Sequence, residues 1–198
     1  MFDLTSIPRS PTRPLARRIG TLARAAGLAA LLVLGLAVPP VAAADNPSGL
    51  PLPRFVTTRS NPINVRVGPG TKYDIAWVYV KAGMPVEIIQ EFDTWRKIRD
   101  MDGSEGWLHQ NLLKGDRAGL VAPWRAEGEQ IALRRDKAAD ASVRAWLTPK
   151  FRVDLKECDG TWCEVVATSH PAGAAPQSFE GYLPQTELWG VYKDEVFD

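Results

Sequence analysis

Ile63-Asn64-Val65-Arg66-Val67-Gly68-Pro69-Gly70-Thr71 decides how the rest of the chain is read. Its first half alternates Ile63, Val65 and Val67 with Asn64 and Arg66, the period of a half-buried strand. Its second half is turn chemistry: Gly68 and Gly70 permit positive φ, Pro69 presets φ near −65°, and Thr71 can bond nearby backbone. A strand that stops so abruptly, with Tyr73 and Trp77 just beyond, opens a loop-rich small β domain.

Working outward, the following segments repeat strand and turn. Ala76–Val80 is aromatic and β-branched, and Lys81-Ala82-Gly83-Met84-Pro85 turns the chain. Pro85–Phe92 is the next strand, and Asp93-Thr94 closes a hairpin into Trp95–Arg99. Asp102-Gly103 is a strong hairpin signal leading into Glu105–Leu108. His109–Leu113 suits one helical turn before a closing strand. Five or six short strands in about 60 residues predict an all-β barrel.

The stretch Asn64-Val65-Arg66-Val67-Gly68-Pro69-Gly70, with Tyr73 after it, resembles the first strand and long loop of bacterial SH3-like (SH3b) domains. The resemblance continues through Lys81-Ala82-Gly83, Val86–Ile89, Trp95–Ile98 and Glu105–Leu108, and covers residues 60–114. It implies a small SH3-like barrel. It also implies ligands of two sorts: cell-wall peptide or peptidoglycan for bacterial members, and proline-rich helices for eukaryotic relatives.

Upstream, Arg9, Arg13, Arg17, Arg18 and Arg24 precede an uncharged run from Ala25 to Val38, then Pro39-Pro40 and Ala42-Ala43-Ala44. That order predicts a secretory signal peptide over residues 1–44. The run falls short of the ~20 apolar residues of a membrane span, so no stable span is expected after cleavage. Residues 45–54, rich in Pro and Gly, are expected to be a flexible linker. The chain has 24 basic and 23 acidic residues; the leader holds five arginines and one acid, leaving 19 basic and 22 acidic. With no basic excess, nucleic acid is not an expected partner.

A second pass finds the same order again, so residues 55–115 and 116–193 are expected to be two tandem SH3-like domains, the second diverged. Ile131–Arg134 stands for Asn64–Arg66, and Phe151–Leu155 for the alternating strand. Gly160–Val165 stands for Asp93–Ile98, and Glu180–Gln185 for Glu105–Gln110. From Trp to the following Gly is 11 residues in the first copy (Trp95 to Gly106) and 19 in the second (Trp162 to Gly181). The extra eight are expected in a loop over Ser169–Ser178. Arg135-Asp136-Lys137 replaces the Gly-Pro-Gly turn, so the second copy need not share the first loop's surface. Residues 116–124 read as a short junction that favours a fixed pair, since each copy alone has a marginal core.

The chemistry-bearing residues are few. Cys158 and Cys163 flank an Asp159-Gly160 turn and are expected to form a hairpin disulfide, worth roughly 2 kcal/mol. A Cys–His hydrolase would need a free thiolate and a catalytic domain, and neither is expected beside His109 and His170. Two histidines cannot make a zinc site, so no metal and no cofactor are expected. A binding module, not an enzyme, is the expectation.

The chain has seven Trp and four Tyr. Trp95, Trp107, Trp162 and Tyr182 are assigned to the core. Tyr73, Asp74, Trp77 and Arg66 are the candidate ligand-binding residues, although for Arg66 the role of an internal partner for loop carbonyls or for Glu105 is favoured over ligand contact. The expected location is the periplasm or cell envelope. The expected ligand is cell-wall peptide or peptidoglycan; the alternative is a periplasmic protein or peptide bound by an adaptor with no glycan ligand.

Overall fold

The computed structural model describes residues 46–198; the expected signal peptide lies outside the described residues. From residue 46 on, the chain belongs to one compact unit. It is all-β, with two antiparallel sheets rolled into small SH3-like barrels. The first contains β1 (Arg54–Thr58), β2 (Ile63–Arg66), β3 (Ile75–Tyr79), β4 (Pro85–Phe92), β5 (Trp95–Arg99), β6 (Glu105–His109) and β7 (Leu113–Lys114). The second contains β8 (Ala118–Val121), β9 (Ile131–Arg134), β10 (Val143–Leu147), β11 (Arg152–Asp159), β12 (Trp162–Ser169), β13 (Gln177–Pro184) and β14 (Leu188–Trp189). A short β15 (Val196–Phe197), beyond the boundary expected at residue 193, pairs with β11.

The strand orders are β3-β2-β6-β5-β4-β1-β7 and β10-β9-β13-β12-β11-β8-β14. The two orders correspond strand for strand. The irregularities recur too: the register slips between Val65 and Arg66 and between Ile88 and Gln90 in the first sheet. It slips at the matching points, Val143/Ala145 and Leu155/Glu157, in the second. A bulge bends a strand and raises its twist, which lets so few short strands curl around a core.

Alternation fills that core. In β2 Ile63 and Val65 are buried and Asn64 is exposed; in β9 Ile131 and Leu133 are buried. Val86, Ile88, Ile98 and Leu108 complete the first core, and Val153, Val165, Ala167 and Leu183 the second. Cys158 and Cys163 are direct cross-strand partners on β11 and β12, with Cα atoms 4.1 Å apart and sulfurs bonded as a disulfide inside the second core. The turn between them is held by Asp159, whose carboxylate accepts from the N–H groups of Thr161 and Trp162. Those bonds, with Lys137, hold its pKa down to about 2.

Three segments differ from expectation. The lead before β1 is docked. Ser48 donates through its N–H (2.9 Å) and Oγ (2.7 Å) to Glu91, and Leu52 packs on the first core. Glu91 also pairs with Arg54 at 2.6 Å and Arg96 at 3.1 Å. Burial works to raise its pKa, but the Arg54 and Ser48 hydrogen bonds hold the carboxyl below its ordinary value. The expected junction contains a strand, β8, buried along its whole length. The eight extra residues of the second copy do not all loop out. β12 and β13 have eight residues each where β5 and β6 have five. Only two lengthen the connection, residues 170–176 against 100–104.

The two barrels touch through aromatic rings. Phe55 of β1 lies 5.2 Å from Trp189, edge to face, and 4.8 Å from Tyr192. The Tyr192 hydroxyl donates to buried Glu87 at 3.0 Å, and burial together with that carboxylate pushes the phenol well above its ordinary pKa. Arg152 Nε donates to the Gly83 carbonyl at 2.6 Å.

Candidate functional site

The loop after β2 positions three of the four candidate residues. Arg66 ends the strand with its guanidinium folded back, Nη1 donating to the Tyr73 carbonyl at 2.6 Å. Of its two internal partners foreseen, it takes the loop carbonyl. Glu105 pairs instead with Lys97 at 2.6 Å and Arg99 at 3.5 Å. The loop closes through Val67 N to Asp74 O (3.0 Å), Gly70 N to Gly68 O (2.9 Å) and Tyr73 N to Gly70 O (3.2 Å).

Neither Gly68 nor Gly70 takes the positive φ that their turn context suggested. The reason for glycine is the Tyr73 ring, which lies on the loop. A Cβ on Gly68 would sit 2.6 Å from Tyr73 Cδ1, and one on Gly70 3.4 Å from Cδ2. Tyr73 therefore shields the turn with one face and offers the rest to solvent, with the Lys72 ammonium 5.4 Å from its centroid.

The second barrel builds the same backbone loop without those glycines but presents a different surface, with Ala141 at the place of Tyr73. Arg135 N bonds Ser142 O (3.0 Å), Ala138 N bonds Asp136 O (2.8 Å) and Ala141 N bonds Ala138 O (3.2 Å). Arg134 Nη1 donates to Ala141 O at 2.8 Å, as Arg66 does to Tyr73. Asp136 replaces Gly68 where Ala141 replaces Tyr73: with no ring overhead, a side chain fits. The pair must therefore change together. Gly68→Asp alone is expected to cost about 2 kcal/mol, and much less in a Tyr73→Ala background. Urea unfolding of the double-mutant cycle checks this; additive losses would contradict it.

Asp74 is exposed beside Tyr73. Trp77 is not. It is half-buried, packs on the first core, lies 6.3 Å from the Tyr79 ring, and its indole Nε1 is buried without a hydrogen-bond partner. Tyr73 and Asp74 thus form an exposed ridge, with Val67 (62 % exposed) and Ile75 (48 %) beside them, while Arg66 and Trp77 are half-buried. None of Arg66, Tyr73, Asp74 and Trp77 lines the groove beside Trp146 or the cleft between the barrels.

Of the rings assigned to the core, Trp107 is buried, while Trp95, Trp162 and Tyr182 are half-buried. The exposed tryptophans are Trp124 (59 %) and Trp146 (58 %), both in the second barrel. Trp146 lines a groove of about 230 Å³ with Arg125, Arg134 and Glu187. The only chance of foreseeing it lay in pairing: Trp146 faces Ala132 on β9 as Val78 faces Asn64 on β2.

A cleft of about 1050 Å³ lies between the barrels. Arg59, Lys81, Lys114, Lys150, Arg152 and His170 line it, and no carboxylate does. Met84, Leu120 and Phe151 supply apolar surface. Just outside, Asp116 pairs with Lys114 at 2.7 Å. The Lys114 hydrogen bond, then the charges of Lys114, Arg152 and Arg59, hold its carboxyl below the ordinary value. These residues are scattered from 59 to 170, and no local run of charge announces them.

Both cysteine sulfurs are tied up in the disulfide, so neither can serve as a thiolate to His109 or His170. Among the described residues no group of His, Cys, Asp and Glu is disposed to hold a metal ion, and no helix is long and apolar enough to cross a membrane.

No curated protein matches the chain. A solved structure of NlpC1 from Trichomonas vaginalis is similar with a TM-score of 0.28 and 11 % identity. The similarity spans 70 % of this chain and 46 % of that one, so the chain covers less than half of that protein's length. Residues 59–115, from the segment after β1 to the end of β7, match the family described as bacterial SH3 domain, a family of binding domains.

Proposed function

We propose that the chain is an exported, non-catalytic binding module that recognises cell-wall peptide or peptidoglycan. One observation carries this reading: the family match over residues 59–115 coincides with a loop whose Tyr73 ring stands exposed between Lys72 and Asp74. Tyrosine gives contact area at little conformational cost, and a charge of each sign beside it suits a zwitterionic peptide. The disulfide supports export to an oxidising compartment, the periplasm or envelope. We further propose that residues 116–193 are a diverged copy of the same domain, as the matching strand order and loop bonds suggest.

Sedimentation of residues 45–198 with insoluble cell wall tests the reading. At low salt the protein is expected in the pellet, and Tyr73→Ala is expected to weaken retention about 30-fold, the size of an aromatic anchor. Ala141 on the matching loop shows that the backbone tolerates the change. Trp77→Ala is less informative, because it also removes core packing. Wild-type protein left wholly in the supernatant would overturn the wall reading. The second reading, a protein-docking adaptor, is favoured by Trp124 and Trp146, large rings exposed on the other barrel.

A further inference from the structure

The inter-barrel cleft combines three features. First, its charge is one-sided although the chain beyond the leader is net acidic. Arg59, Lys81 and Lys150 have no carboxylate within ion-pair distance among the described residues, while Lys114 and Arg152 hold Asp116 and Asp154 at the margin. Second, its lining is amphipathic: buried Leu120 and half-buried Met84 and Phe151 lie among the cations. Third, one wall exists because of the longer hairpin of the second barrel. Thr168, Ser169, His170 and Pro171 come from the end of β12 and the loop after it. The first barrel, with its shorter β5, has no counterpart to that wall. The opposite wall is the turn carrying Lys81, Ala82 and Gly83, fixed to the second barrel by Arg152.

We propose that this cleft is a second binding site, distinct from the Tyr73 ridge, for an acidic peptide whose carboxylates meet Arg59, Lys81 and Lys150 while its apolar side chains cover the half-buried Met84 and Phe151. An uncovered row of like charges around a concave surface raises the local concentration of anions. The apolar lining discriminates between anions. A phosphate polymer would leave it wet, whereas alternating acidic and apolar side chains satisfy both parts of the cleft. An extended peptide can do this because successive side chains point to opposite sides, carboxylates to the rim and apolar groups to the floor. The site does not depend on the wall-binding reading.

Fluorescence anisotropy on residues 45–198 tests it, with a labelled peptide of alternating glutamate and leucine, the same peptide with glutamine for glutamate, and inorganic polyphosphate as competitor. Binding of the glutamate peptide is expected at about 20 mM salt, with marked weakening at about 150 mM, where the Debye length is about 8 Å. The glutamine peptide is expected not to bind. Lys81→Glu combined with Lys150→Glu should weaken the glutamate peptide by at least roughly tenfold. Both side chains are exposed, so the thermal midpoint should change little. Wall sedimentation by the same variant should be unchanged, since Tyr73 is untouched. The proposal is overturned if the glutamate peptide fails to bind, if the glutamine peptide binds equally, if the double variant binds like wild type, or if polyphosphate displaces the peptide at far lower anion concentration.

Discussion

Gly181→Ala is expected to lower the stability of the folded chain by about 3 kcal/mol, roughly 6–12 °C in thermal midpoint for a body of this size. Gly181 lies in β13 where that strand crosses β9. A methyl group there would collide with the Arg134 carbonyl and lie 3.1 Å from Leu133 Cγ. The carbonyl is backbone and cannot rotate away, so β9 and β13 must part. Gly106 holds the matching place in the first barrel, but its Cβ would meet side-chain Val65 Cγ1 at 2.5 Å and Trp77 at 3.0 Å, with Arg66 O at 3.1 Å. Side chains can yield more than backbone, so Gly106→Ala should cost less. Gly115→Ala, with nothing near the added methyl group, is the control. Urea unfolding of the three variants gives the comparison; a Gly181→Ala loss no greater than the Gly115→Ala loss would show that β9 and β13 do not approach so closely.

Phe55→Ala is expected to cost about 2 kcal/mol, below the usual range for a fully buried phenylalanine because the ring is half-buried. The consequence should extend beyond the first barrel. The ring is what Trp189 and Tyr192 pack upon, and Tyr192 in turn bonds Glu87 on the neighbouring β4. Without Phe55, water reaches that buried carboxylate, and the coupling of the two barrels is left to polar contacts such as Arg152 with the Gly83 carbonyl. Thermal unfolding of Phe55→Ala should therefore broaden or split. Phe92→Ala, removing a ring 58 % exposed, should change the midpoint by little. A Phe55→Ala transition as sharp and as high as wild type would show that the aromatic contact does not couple the barrels.

Most strands were legible because alternation and turn residues agreed. Pro85–Phe92 and Trp95–Arg99 begin and end where their hairpin residues require. β1 and β8 were not, because they are covered on both sides and alternate poorly. Thr57 and Thr58 are polar yet wholly buried, and Thr58 Oγ1 accepts from the Met84 N–H at 2.9 Å. The extra length in the second hairpin was counted correctly, but Pro and Gly around residue 173 concealed how far the strands run on either side. In the candidate site, Tyr73 and Asp74 were legible as exposed loop residues. Trp77 was not, because the bulge beside Arg66 alters which side chains of β3 face inward. The cleft had no sequence signature at all, its six basic side chains being gathered from scattered positions across both barrels.

One barrel plan is used twice, and the two copies lock together as one body. Differential scanning calorimetry of residues 45–198, alongside the isolated segments 45–115 and 116–198, decides whether they do. One cooperative transition is expected for the whole, with a van't Hoff enthalpy equal to the calorimetric one, and a lower midpoint for each segment alone. Two independent transitions, each at the midpoint of its isolated segment, would contradict it.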